Sequence, residues 1–226
     1  FYALIHACLF YNAHMNPLAS PTTLRAAAKH LSAADPRLAP IIASAGLAKL
    51  TPHTNYYRAL GDSIIGQQLS IKAASSIKQR FYDLFGGTFP EPQAILTRSI
   101  EELRTAGLSG AKARYIQDLA QRIVDGSVRF DTLAEQSNEE IVAELTAVKG
   151  IGEWTVHMFL MFCVGRTDVL AYGDLGVRAA IKKLYGFTEL PTKDEVDHIA
   201  KRNNWHPFQS VACWYLWRSL ENTPSI

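Results

Sequence analysis

One carboxylate in this chain of 226 residues is placed where a fixed negative charge could act. Asp174 follows the apolar stretch Val169-Leu170-Ala171 and opens a helical run from Leu175 to Leu184. Backbone amides at a helix N-terminus hold such a carboxylate, and the helix dipole favours its charge. A fixed anion of this kind can stabilise developing positive charge or take a proton from water. Its plain alternative is an N-cap with no chemistry. Twenty positions upstream stands Trp154, preceded by Lys149-Gly150-Ile151-Gly152. The glycines permit a tight turn with no side chain above it. Turn amides and the following helix N-terminus then form a cradle for a phosphate, with the charge of Lys149 beside it.

These residues need helices to position them, and nearly every periodic segment reads as helix. Ser137 and Glu140 form a capping box that opens a helix ending at Leu145-Thr146-Ala147-Val148. A second helical run from Trp154 to Val164 follows the Gly-x-Gly link, giving a helix–hairpin–helix over residues 138–164. Upstream, Thr22 or Thr23 caps a helix through His30, and residues 38–48 form another that ends at Gly46 or Thr51-Pro52. The pattern continues with helices over Tyr56–Gln68, Ser70–Phe85 and Ala111–Val124, and a short helical piece over Asp131–Glu135. Beyond Asp174, Thr192 caps a charged helix to Asn203, and Pro207–Leu220 makes the last. The fold class is therefore all-α.

Hydrophobic residues make up 48% and charged residues 19%, the composition of a globular protein. A formal net charge of +2 means that any nucleic-acid affinity must come from a local patch. Cys8, Cys163 and Cys213 are too scattered for a disulfide framework, which points to a reducing compartment. The apolar start, residues 1–13, is shorter than the roughly 20 residues that span a bilayer. It also lacks the basic start of a signal peptide, so no membrane partner is expected. Residues 1–15 are set apart as an extension whose origin the sequence leaves open, with Met15 a candidate initiator. Zinc-ligand spacing, a P-loop and a hydrolase Ser/His/Asp set are all lacking.

The hairpin Gly150-Ile151-Gly152-Glu153-Trp154-Thr155, followed by Asp174-Leu175-Gly176-Val177-Arg178, resembles the helix–hairpin–helix (HhH-GPD) DNA glycosylases, and among them the 3-methyladenine DNA glycosylase II branch. The resemblance covers roughly residues 55–221. It implies a two-lobed helical bundle with an interlobe cleft: residues 16–54 with 186–226 as one lobe, and residues 55–185, which contain the hairpin, as the other. An extra N-terminal α/β domain found in some relatives is expected to be absent. So is an iron–sulfur cluster, since no clustered C-terminal cysteines are present.

By the same resemblance Asp174 is the catalytic residue, facing an opening shared with Trp154, in carboxylate-assisted cleavage of a base–deoxyribose bond. Gly173 stands where many relatives carry a second acidic residue. Trp154, Trp217, Met158 and Tyr172 would form the pocket for a flipped base, and an aromatic face favours a cationic alkylated purine by roughly 0.5–2 kcal/mol. Lys149, Gly150, Ile151 and Gly152 would hold the DNA backbone, with Lys112 near it. Gln67, Gln68 and Leu69 would plug the stack, Leu69 as wedge; Ser70 reads as a helix cap. A monovalent ion at the carbonyls of Thr146, Val148 and Gly150 is implied, and no cofactor. Relatives that also nick the strand carry a lysine at the position of Trp154, so strand cleavage through a Schiff base is not expected.

The expected activity is a monofunctional glycosylase that removes alkylated bases of the 3-methyladenine type from duplex DNA in base excision repair, acting as a monomer. It would be cytoplasmic in a bacterium or nuclear in a eukaryote. Two alternatives stay open: a non-catalytic helix–hairpin–helix DNA-binding module, and a glycosylase for deaminated or oxidised bases.

Overall fold

The computed structural model describes residues 20–50 and 55–221. The readings made for residues 1–15 and for Thr51-Pro52 lie outside these. The elements are α1 (Pro21–Ala34), α2 (Ala39–Ala45), α3 (Tyr56–Gly66), α4 (Ile71–Asp83), α5 (Pro92–Leu96), α6 (Ile100–Thr105), α7 (Gly110–Val124), α8 (Asn138–Thr146), α9 (Glu153–Phe159), a π-helical turn (Leu160–Val164), α10 (Leu175–Tyr185), α11 (Lys193–Arg202) and α12 (Gln209–Glu221). No strand occurs among the described residues, and none of their helices is long and apolar enough to cross a membrane.

The starts of these helices follow from their caps. Ser99 and Glu102, Ser137 and Glu140, and Thr192 and Glu195 each form a complete capping box. Ser70 caps α4 through the amide of Ala73, and Ser109 caps α7 through that of Lys112. At α1 the cap is Ser20, not Thr22 or Thr23: its hydroxyl accepts from the Thr23 amide, and Pro21 takes the first helical position, where no amide is needed. That helix runs on to Ala34, past His30. Residues 131–135 form turns and no helix.

Helix contacts divide the chain into two units. In the first, residues 55–159, α7 packs on α3, α5 and α6, while α8 pairs with α9. Leu60, Ile64, Ile65, Phe81, Ile95, Leu103, Ile116 and Leu119 are fully buried there. In the second unit, residues 20–50 and 160–221, α12 packs on α1, α2 and α10. The division thus falls at 159/160 and not at 185/186, because α10 shares its buried face with α12.

Polar ties fix the second unit. The buried Asp35 carboxylate accepts hydrogen bonds from Tyr185 and, at 2.8 Å, from the indole of Trp205. Ser210 of α12 holds the loop leading to Asp174: its Oγ accepts from the Val169 amide at 2.9 Å and donates to the Arg166 carbonyl at 2.7 Å. Trp205 is fully buried.

Candidate active site

Asp174 is the N-cap of α10, and its Oδ1 accepts from the Val177 amide at 2.8 Å. The same oxygen accepts from the Trp217 indole Nε1–H at 2.7 Å. Trp217 comes from α12, and its ring stacks on Phe162 with centroids 5.7 Å apart and planes 29° apart. Phe162 belongs to the π-helical turn, in which every residue is buried. A five-residue π turn rotates the helix register relative to α-helix and is frequent at functional sites. Here it carries the ring that backs Trp217.

Asp174 is only 1% exposed, so its carboxylate does not stand open to solvent as expected. The indole that hydrogen-bonds it is itself only 6% exposed. Both chain neighbours nevertheless reach the surface: Gly173 is exposed with open space where a Cβ would project, and Leu175 is 64% exposed. The carboxylate therefore lies one residue beneath the surface, and no side chain of residue 173 stands over it. Burial, with the Asp174 charge adding to it, pushes the nearby Cys213 thiol up to about 12.

Two other residues assigned to the base pocket are qualified by their partners. The ammonium of Lys193 sits 3.9 Å from the centroid of the Tyr172 ring, so that face cannot also receive a cationic base. One face of Trp217 is taken by Phe162. Trp154 and Met158 lie on α9 in the first unit, Trp154 half-buried and Met158 buried. His157 is buried beside them in the chain.

The hairpin is built as its glycines require. Gly150 has φ +83°, and an added Cβ would stand 2.1 Å from the ring of Tyr115 on α7. The Lys149 amide donates to Asp118 Oδ2 at 2.9 Å, and its ammonium lies 3.6 Å from Oδ1. Burial alone would raise the Asp118 carboxyl, but these contacts and Arg122 hold it below its usual range. Lys149 is thus partly neutralised, not an isolated positive charge. Ile151 is 4% exposed and its amide already donates to the Val148 carbonyl, so it supports the turn from within. Gly152 remains at the surface.

At the other turn Gln68 is the exposed tip, in the left-handed region at φ +56°, while Leu69 is half-buried. Gln68 is thus the more exposed of the two. Gln67 Nε2 donates to the Gly150 carbonyl at 2.8 Å, which ties the two turns together. Lys112 does not extend toward solvent; its ammonium donates to the carbonyls of Ile65 at 2.8 Å and Gln67 at 2.6 Å. Of the carbonyls suggested for a monovalent ion, that of Gly150 accepts from Gln67 and that of Val148 from the Ile151 amide. An ion there would have to use the second lone pair of each. Phe162, Tyr115, Asp118 and Lys193 were not singled out from sequence. Tyr115 and Asp118 carried one signal, following Lys112 at three-residue intervals along α7.

Residues 62–204 match the sequence profile described as HhH-GPD superfamily base excision DNA repair protein. The chain is 33% identical over 171 residues to a putative DNA-3-methyladenine glycosylase of Bacillus subtilis, covering 73% of this chain and 59% of that relative. A solved DNA-3-methyladenine glycosidase from Bacillus halodurans superposes with a TM-score of 0.80 at 39% identity, covering 90% of each chain. The 3-methyladenine DNA glycosylase of Schizosaccharomyces pombe, solved in complex with abasic DNA, gives 0.75 at 31% identity over 88% of this chain and 98% of that one.

Proposed function

From the chain's membership of the HhH-GPD superfamily of base excision DNA repair proteins, we propose that it is a DNA glycosylase that excises alkylated bases of the 3-methyladenine type and leaves an abasic site. The observation that carries this reading is the Asp174 carboxylate, buried at the head of α10 and fixed through Oδ1 by the Val177 amide and the Trp217 indole.

The reaction follows from charge. Heterolysis of the C1′–N bond sends the electron pair out with the base and leaves positive charge on the sugar. A cationic alkylpurine becomes neutral as it departs, so no general acid is needed. Asp174 is 1% exposed, and in such low-dielectric surroundings an oriented anion stabilises an oxocarbenium-like sugar more strongly than it would in solvent. Water then adds to C1′, and its proton passes to the carboxylate or to solvent. The damaged nucleotide must first leave the duplex. We assign Gln68, at the tip of its turn, to the vacated stack, and the surface of the hairpin at Gly150 and Gly152 to the phosphates. Trp217, which hydrogen-bonds Asp174, is assigned to the departing base. Trp154 has no amine, so the enzyme is read as lacking lyase activity. One copy of the chain supplies every assigned residue.

The test is release of free 3-methyladenine from methylated duplex DNA. Wild-type protein should release it. Asp174→Asn should lower the rate by at least about 100-fold yet still bind duplex containing an abasic site. Borohydride should trap no covalent complex. Excision by Asp174→Asn within a few-fold of wild type would remove the carboxylate from the mechanism, and a trapped complex would contradict the assignment of Trp154.

A further inference from the structure

We infer that Lys112 is a positioning residue for the turn Gln67–Leu69, and that α7 is the brace on which both DNA-facing turns are set. This rests on the assignment of that turn to the vacated stack. Lys112, Tyr115 and Asp118 follow one another at three-residue intervals along one side of α7. Each holds a different piece of backbone. The Lys112 ammonium donates to the Ile65 and Gln67 carbonyls at the end of α3. The Tyr115 ring fills the space over Gly150. Asp118 accepts the Lys149 amide. Gln67 closes the circuit by donating to the Gly150 carbonyl.

The last carbonyls of a helix have no partner within it and carry the negative end of its dipole, so a cation there is well placed. Lys112 pairs with one carbonyl inside α3 and one just past it. It therefore fixes where the chain leaves the helix. The next residue, Gln68, has φ +56°, a conformation costly for a residue with a side chain and kept only where its surroundings enforce it. Leu69 adds one weak tie of its own, its amide to the Gly66 carbonyl at 3.3 Å. The lysine is partly desolvated, and burial draws its pKa below the usual lysine range, against which the two carbonyls favour the charged form.

A brace and a phosphate contact make opposite forecasts. The test compares affinity for a duplex bearing a tetrahydrofuran abasic analogue with affinity for undamaged duplex, across a range of salt concentrations. Because binding and not excision is read, the outcome is independent of which base the enzyme removes. Lys112→Met keeps the side-chain length and removes the donors. It should lower the preference for the abasic duplex by about tenfold, leave undamaged-duplex affinity within about twofold, and leave the salt dependence unchanged. If both affinities fall together and the salt slope drops by about one, Lys112 touches phosphate and the inference is wrong. An unchanged preference also overturns it. Gln68→Ala and Leu69→Ala run alongside. Loss of preference in either, with Lys112→Met intact, removes the brace alone; loss in neither removes the turn's role and the brace with it. Should Lys112→Met fail to fold, Lys112→Gln carries the same comparison.

Discussion

Trp217→Phe isolates the hydrogen bond that fixes Asp174. The substitution keeps an aromatic ring to stack on Phe162 and deletes the one donor, Nε1–H, that stands 2.7 Å from Oδ1. Asp174 is 1% exposed and Trp217 6%, so water is not at hand to replace that donor. A hydrogen bond to a charged group is worth about 1.5–3 kcal/mol net. If the bond holds the carboxylate in its transition-state position, that range corresponds to roughly a 10- to 150-fold loss of rate. The Val177 amide remains, so the loss should stop short of that for Asp174→Asn. The assay is single-turnover release of 3-methyladenine with enzyme in excess, which separates the chemical step from binding, and abasic-duplex affinity is measured in parallel. The expected result is a slower step with affinity nearly unchanged. A rate within twofold of wild type, or a loss lying wholly in affinity, would refute the positioning role and leave Trp217 as a wall of the base site only.

Gly150→Ala tests the hairpin. An alanine at φ +83° would bring its Cβ to 2.1 Å from the Tyr115 ring, and left-handed backbone alone costs about 1–2 kcal/mol. Thermal melting should fall by several degrees, and Tyr115→Ala in the same chain should recover part of it; no change on melting would mean that the turn is not packed as described. Asp118→Asn tests the pH dependence of that turn. Because the folded-state pKa is depressed below the ordinary value of 3.8, the carboxylate contributes stability that is complete above that value. This contribution is lost as pH falls through the folded pKa. The wild type should therefore melt above Asp118→Asn at neutral pH, and the gap should close only below about pH 4; a gap independent of pH would exclude the charge as its source.

Helix existence was readable because caps and apolar spacing agree: Ser137 with Glu140, and Thr192, each announced a start that the structure keeps. Ser20 was missed because Thr22 and Thr23 offer the same hydroxyl two and three residues later, and only Pro21 breaks the tie. The π turn at Leu160–Val164 left no trace. Leu-Met-Phe-Cys-Val is uniformly apolar, so periodicity cannot show that the helix changes its pitch there. Asp174 and the hairpin stood out because a carboxylate after an apolar run and two glycines around one residue are local patterns. Lys112 went the other way: a lysine in a first helical turn looks solvated, and only the packing of α7 against α3 brings its ammonium onto carbonyls. The division of the chain at 159/160 was likewise invisible, since it depends on which helix α10 chooses to face.

The buried thiols carry one last implication. Methylating agents that would create substrates for this enzyme also attack sulfur, and they do so through the thiolate. Cys163 and Cys213 are both buried, and burial pushes the Cys213 thiol up to about 12, so that it stays protonated at neutral pH. Sulfur packed against the reaction centre is thereby kept unreactive, and the protein can persist through the same chemical insult whose scars it is suited to erase.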